Sequence, residues 1–243
     1  MTIYIAVCED NVADRKQTER LLEREKDTRL KENYDVLYID SFGSEEALMR
    51  TPIKYDIFFI DISEEGQNGM DIAKKLRKKG ITAPIVLYSP SVDYTSYVNA
   101  PKELIFLEEP LTKGQISHLI DVAIDWSKNK TPLIELRGKT DTHFVPYTDI
   151  IRARQLDKFE TEVSLSDGSY ANTQGDIKTL MKALRQYECF IYCKKDLINI
   201  LHIDKSEKNG FRLTNGDYVT YSFFQKNDIL NIIANYIKTL RAK

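Results

Sequence analysis

Ile57-Phe58-Phe59-Ile60-Asp61 is the stretch that decides the fold. Four apolar residues in a row, with no polar residue between them, suit a strand covered on both faces, and such strands belong to parallel sheets flanked by helices. Ile85-Val86-Leu87-Tyr88 repeats the pattern, and Ile3–Val7, Val36–Ile39 and Leu104–Leu107 are further short apolar runs. Charged stretches with helical periodicity lie between them: Asn11–Asp27, Ser44–Met49, Met70–Lys79, Ser91–Val98 and Thr112–Trp126. In the last, Ile116, Leu119, Ile120, Ala123 and Ile124 fall on one helix face. Five βα units in succession predict an α/β domain with a doubly wound parallel sheet.

The polar stretch Ser127-Lys128-Asn129-Lys130-Thr131-Pro132 then breaks the pattern and reads as a linker between residues 1–126 and 133–243. Beyond it the period becomes two. Phe159, Thr161, Val163 and Leu165 alternate with polar residues before Asp167-Gly168, which predicts a half-buried strand entering a hairpin turn. Asn215-Gly216 and Gly138-Lys139 repeat the turn signal, so the rear domain is mainly β. Two helices interrupt it, Asp176–Tyr187 and Gln225–Leu240; the stripe Ile229, Ile233, Ile237 on the second should pack on its own β domain.

Composition agrees with two folded domains: 243 residues, 42% apolar and 30% charged, with Gly 10 and Pro 7. Collagenous and disordered classes are excluded. No apolar run approaches the ~18 residues of a membrane span, and Met1–Ile5 lacks the basic start of an export signal, so a cytoplasmic protein is expected. Cys8, Cys189 and Cys193 are too few and scattered for a disulfide scaffold or a four-ligand zinc site, and read as reduced, buried thiols. Charge divides unevenly: residues 1–130 carry 18 Lys/Arg against 23 Asp/Glu, residues 131–243 carry 17 against 14. An acidic front suits a cation; a mildly basic rear is compatible with nucleic acid.

In a doubly wound sheet, ligands gather outside the carboxyl ends of the strands. Glu9 and Asp10 directly follow the first strand and Asp61 ends the third. Three such carboxylates, with the backbone carbonyl of Ser63, can hold a hard cation such as Mg²⁺, which takes oxygen ligands. Beside the metal, Asp61 can act as nucleophile toward a phosphoryl group, and Ser89, ending the fourth strand, can donate a hydrogen bond to it. The same Glu9 and Asp10 also suit an N-cap and first-turn charge for the helix beginning near Asn11.

The set Cys8-Glu9-Asp10-Asn11, Phe59-Ile60-Asp61-Ile62, Gly69-Met70-Asp71, Ser89 and Phe106 resembles the receiver domain of two-component response regulators, over residues 2 to 126. The resemblance implies a flavodoxin-like fold and a phosphoacceptor role for Asp61. It also implies Mg²⁺ coordination by Glu9, Asp10 and Asp61, and a Ser89–Phe106 pair that reorients on phosphorylation. One position departs. Receivers carry Lys before the Pro that follows the fifth strand, whereas here the stretch is Phe106-Leu107-Glu108-Glu109-Pro110. Exchanging a cation for an anion at ~4 Å changes the interaction by a few kcal/mol even at an effective dielectric of about 20. Lys102 or Lys113 are the nearby cations that could compensate.

The rear half resembles the LytTR DNA-binding domain over residues 132 to 226. Its carriers are Phe144–Ile151, Leu156-Asp157-Lys158-Phe159, Asp167-Gly168, Leu180–Leu184, Phe190-Ile191, Leu197-Ile198-Asn199, Asn215-Gly216 and Tyr221-Ser222. By that resemblance Lys158, Lys194, Lys195, Asn199 and Ser222 are DNA-contacting candidates. The lysines suit phosphates, and Asn199 suits either a base edge or a buried turn. Arg152, Arg154 and Phe223-Phe224 depart from the family pattern, the phenylalanines standing where an Arg that reaches DNA is expected.

The chain therefore reads as a bacterial response regulator and transcription factor, a phosphoryl acceptor at most rather than an enzyme. Its expected partners are double-stranded DNA, a sensor histidine kinase and a second copy in a homodimer. The alternative is a pseudo-receiver, with Glu109 in place of the Lys, governed by a peptide or protein partner or always dimeric.

Overall fold

A computed structural model describes residues 1–32, 35–62, 69–91 and 104–241. The chain divides into two compact units, Met1–Lys130 and Thr131–Lys243. Among the described residues no helix is long and apolar enough to cross a membrane.

The first unit holds strands β1 (Thr2–Cys8), β2 (Val36–Phe42), β3 (Ile57–Asp61), β4 (Ile85–Ser89) and β5 (Leu104–Glu108). They form one parallel sheet in the order β2-β1-β3-β4-β5, the flavodoxin-like arrangement. Every residue of β3 and β4 is buried, as their unbroken apolar runs require. Helices α1 (Val12–Glu32), α2 (Glu45–Leu48), α3 (Gly69–Lys78) and α4 (Lys113–Asn129) accompany the sheet. Ile5, Val7, Phe59 and Val86 pack with Leu22 of α1 and with Ile116, Leu119 and Ile120 of α4.

Two helices run further than their apolar periodicity indicates, and polar contacts explain both. Arg29, in the last turn of α1, is buried and donates to Glu25 at 2.6 Å and to the Ser117 carbonyl at 2.8 Å, and it pairs with Asp121 at 2.8 Å. α1 is thereby tied to α4. At the end of α4, the Asn129 amide donates to the Asp125 carbonyl at 2.8 Å and Lys128 pairs with Asp125 at 3.6 Å. Ser127-Lys128-Asn129 are therefore helical, and of the expected linker only residues 130–132 lie outside an element.

In the second unit β6 (Leu133–Arg137) and β7 (Thr142–Pro146) form a hairpin. β8 (Ile150–Gln155), β9 (Glu160–Leu165), β10 (Tyr170–Gln174), β11 (Phe190–Cys193) and β12 (Asp196–Asn199) make an antiparallel sheet ordered β10-β9-β8-β12-β11. β13 (Ile203–Glu207), β14 (Gly210–Leu213) and β15 (Tyr218–Thr220) make a smaller one. Asp167-Gly168 and Asn215-Gly216 do form the β9–β10 and β14–β15 turns, with both glycines at positive φ. Helix α5 (Ile177–Leu184) packs with β8, β9 and the β6–β7 hairpin in one core; α6 (Lys226–Arg241) closes a second core over Phe211, Leu213 and Val219.

Phe159 departs from the alternating pattern. It precedes β9 in the loop, 71% exposed, while Thr161 and Val163 point inward. Of the α6 stripe, Ile229 is buried, Ile233 is partly buried and Ile237 is 40% exposed. Cys8, Cys189 and Cys193 are buried and not in disulfides, and burial pushes their thiols up to about 12, 11 and 12.

Candidate functional site

The chain order switches sides of the sheet between β1 and β3, which opens a crevice at their carboxyl ends. Cys8 of β1 lies opposite Ile60 of β3, so Glu9 and Asp10 emerge beside Asp61. Carboxylate oxygens of the three lie within 4.8 Å of one another, with Glu9 and Asp61 buried and Asp10 exposed. Capping falls to Asn11 instead, whose Oδ1 accepts the Ala13 amide at 2.8 Å. The helix start thus leaves Asp10 and one oxygen of Glu9 to the crevice; the other accepts the Asn11 amide at 2.9 Å.

Burial pushes the Glu9 carboxyl up to about 7; the Asn11 amide opposes it, and the charges of Asp61 and Asp10 add smaller upward contributions. Arg15 donates to the Glu9 backbone carbonyl at 2.6 Å, away from the carboxylate. A cluster of oxygen donors that repel one another in this way fits a hard divalent cation, whose charge would relieve the repulsion. Glu9, Asp10 and Asp61 are the residues able to hold it. Ser63, the backbone ligand expected from sequence, lies outside the described residues, as do Lys102 and residues 92–98.

The start of α3 approaches the end of β3 as closely as only glycine permits. A Cβ on Gly69, at the start of α3, would stand 2.1 Å from the Asp61 carbonyl oxygen and 2.6 Å from Ile62 Cγ2. Ser89 closes β4 beside Asp61: it is buried, and its hydroxyl accepts the Ser91 amide at 3.4 Å. Phe106 sits on the adjacent β5, half-buried, opposite Leu87. Glu109 donates its amide to the Ser89 carbonyl at 2.9 Å. Its carboxyl is raised by burial first and by Asp61 second, so where the sequence departs from the expected cation a further carboxyl faces the phosphoacceptor candidate.

At one end of the five-stranded sheet of the second unit, Lys158 lies in the β8–β9 loop and Lys194-Lys195 form the β11–β12 turn. All three are exposed. Lys194 adopts φ 56° and donates its ammonium to Thr220 Oγ1 at 3.0 Å, which brings the turn beside the end of β15. Ser222 follows; its hydroxyl accepts the Gln225 amide at 3.3 Å in a capping box at the entry to α6.

Asn199 is the exception among the DNA candidates. It is fully buried at the other end of β12, donates to the carbonyls of Tyr147 and Ile150 at 3.1 and 2.9 Å, and accepts the Leu201 amide. In this conformation the Asn199 side chain satisfies a buried turn. Arg152 is likewise internal: it bonds Asp196 of β12 at 2.9 Å and Asp217 of the β14–β15 turn at 2.9 Å, joining the two sheets. Nothing in the hydrophobic pattern announces that network; the unexpected arginine in a strand was the one visible signal.

No sequence-family profile and no curated protein matches the chain. Solved structures do. The front half is similar to the BeF3-activated DrrB receiver domain (13% identity, 51% of this chain and 99% of that one, TM-score 0.42). It is also similar to a response regulator receiver domain protein from Clostridium thermocellum (20%, 52% and 97%, TM-score 0.42). The rear half is similar to the LytTR DNA-binding domain of a methyl-accepting/DNA response regulator from Bacillus cereus (17%, 43% and 98%, TM-score 0.36).

Proposed function

We propose that the chain is a two-component response regulator whose receiver unit, through the Asp61 pocket, governs sequence-specific binding of double-stranded DNA by a LytTR-type unit. The observation that carries this reading is the convergence of Glu9, Asp10 and Asp61 at the switch point of a β2-β1-β3-β4-β5 sheet. Bound there, Mg²⁺ would supply charge neutralisation for an incoming phosphoryl group. An Asp61 carboxylate oxygen attacks phosphorus, the bond from phosphorus to the donor's leaving atom breaks with its electron pair, and an acyl phosphate results. Glu9 and Asp10 stay as metal-facing carboxylates; the Ser89 hydroxyl donates to a phosphoryl oxygen, and Phe106 follows its movement.

The donor would be a sensor histidine kinase, and the output a homodimer in which two tethered DNA-binding units engage spaced half-sites. The switch is a shift of population: phosphorylation favours the receiver conformation that pairs with a second copy. Lys158, Lys194 and Lys195 would neutralise phosphates, and Ser222 supports the same surface.

Glu109 favours a second reading, a pseudo-receiver that responds to a peptide or protein partner or is always dimeric. One experiment separates them. The full chain is incubated with Mg²⁺ and a small phosphodonor, beside Asp61→Asn and Glu109→Lys, and intact mass, oligomeric state and DNA affinity are read. A phosphoryl adduct on wild type, absent from Asp61→Asn and accompanied by tighter DNA binding, supports the first reading. An adduct only on Glu109→Lys, with wild type and Asp61→Asn alike on DNA, supports the second.

A further inference from the structure

Phe223 and Phe224 are 85% and 92% exposed, on a turn of 3-10 helix at residues 223–225. Large side chains this bare usually mark a contact surface when they cluster. Here the rings touch each other edge to face, with centroids 6.1 Å apart and planes at 81°. Their backbone is firmly held. On one side Tyr221 is buried against Phe211, and on the other the Ser222–Gln225 capping box fixes the entry to α6. The pair is therefore a presented feature on a fixed base.

The neighbourhood is cationic. Lys194 reaches Thr220, three residues before Phe223, and Lys195 is exposed beside it. Asp196, the next residue, is already engaged by Arg152 and Arg154. We propose that Phe223 and Phe224 form an apolar wedge that enters a base step of double-stranded DNA and kinks it, with Lys194 and Lys195 on the adjoining phosphates. This rests on the DNA-binding reading above and adds a residue-level cause of specificity. Apolar side chains inserted between base pairs unstack them and bend the duplex, most cheaply at flexible pyrimidine–purine steps.

Size argues against a second copy as the occupant. Two phenylalanines bury roughly 150–250 Å² each, short of the ~800 Å² per partner of a stable dimer, and the flanking residues Thr220, Ser222, Gln225 and Lys226 are polar. Phosphate complements the lysines.

The test uses the full chain and a site selected from random-sequence duplex DNA, with end-to-end energy transfer reporting the bend. Wild type should bend its site. Phe223→Ser/Phe224→Ser should straighten it and weaken binding at least about tenfold while leaving the salt dependence, set by the lysines, unchanged. Phe223→Leu/Phe224→Leu should restore the bend. Both positions are exposed, so unaltered melting temperatures are expected and checked. The wedge is overturned if wild type binds its site without bending it, or if the serine pair bends DNA as well as wild type. It is also overturned if the serine pair instead changes sedimentation in the absence of DNA or abolishes binding to anionic vesicles. A selection that recovers no DNA site removes the proposed function itself, and the wedge with it.

Discussion

At the scale of single residues, the acidic pocket has a measurable signature in pH. The Glu9 carboxyl is raised from 4.5 to about 7 by burial and by its neighbours Asp61 and Asp10. Between those values the unfolded chain carries an ionised Glu9 and the folded chain a protonated one. Folding then takes up a proton, so stability falls as pH rises through the window and is flat in this contribution on either side. Thermal melts of the metal-free protein should show that decline, Glu9→Gln should flatten it, and added Mg²⁺ should stabilise most above pH ~7, where the site is anionic. A melting temperature indifferent to pH and Mg²⁺ would contradict the pocket's proposed role. Gly69 offers a steric counterpart. Gly69→Ala places a methyl against the Asp61 carbonyl; an overpacking cost of about 1–3 kcal/mol and weaker Mg²⁺ binding are expected from melts and metal titration. Asn199→Ala strips partners from the buried Ile150 carbonyl, the half-buried Tyr147 carbonyl and the Leu201 amide and should cost about 1–3 kcal/mol, without altering the salt dependence of DNA binding.

At the scale of elements, short apolar runs located the five parallel strands to within a few residues, most sharply β3 and β4, where both-face burial forces an unbroken apolar run. The turn pairs Asp167-Gly168 and Asn215-Gly216 were legible for the same kind of reason: positive φ selects glycine. What escaped was polar. The extra turn of α1 depends on Arg29 finding Glu25 one helical turn back and Asp121 far along the chain, and β8 is tied to the smaller sheet through Arg152 and Asp217; the two distant aspartates are invisible to local periodicity. The carboxylate cluster could be read because strand ends placed it. For Asn199 the sequence left a base edge and a buried turn both open, since the choice turns on carbonyls of Tyr147 and Ile150 about fifty residues earlier. Arg152→Leu leaves Asp196 and Asp217 without their shared cation. A loss of roughly 3–5 kcal/mol is expected by denaturant unfolding, with part recovered when Asp196 is also made Asn.

At the scale of the whole molecule, each unit has hydrophobic clusters of its own. Fragments 1–130 and 131–243 should therefore each unfold cooperatively in calorimetry, and Mg²⁺ should raise the transition of the first alone. An effect of Mg²⁺ on the isolated second fragment would place a cation site where the carboxylate cluster is not.

The three buried thiols have a practical consequence. With acidities near 11 to 12, only ~0.01–0.1% of each is nucleophilic thiolate around pH 8, and none is at the surface. Alkylating dyes should leave the native chain unmodified, so a cysteine introduced on any exposed loop becomes the sole site of attachment. The molecule needs no prior removal of its own sulfhydryls before a fluorophore or spin probe is installed to follow its motions.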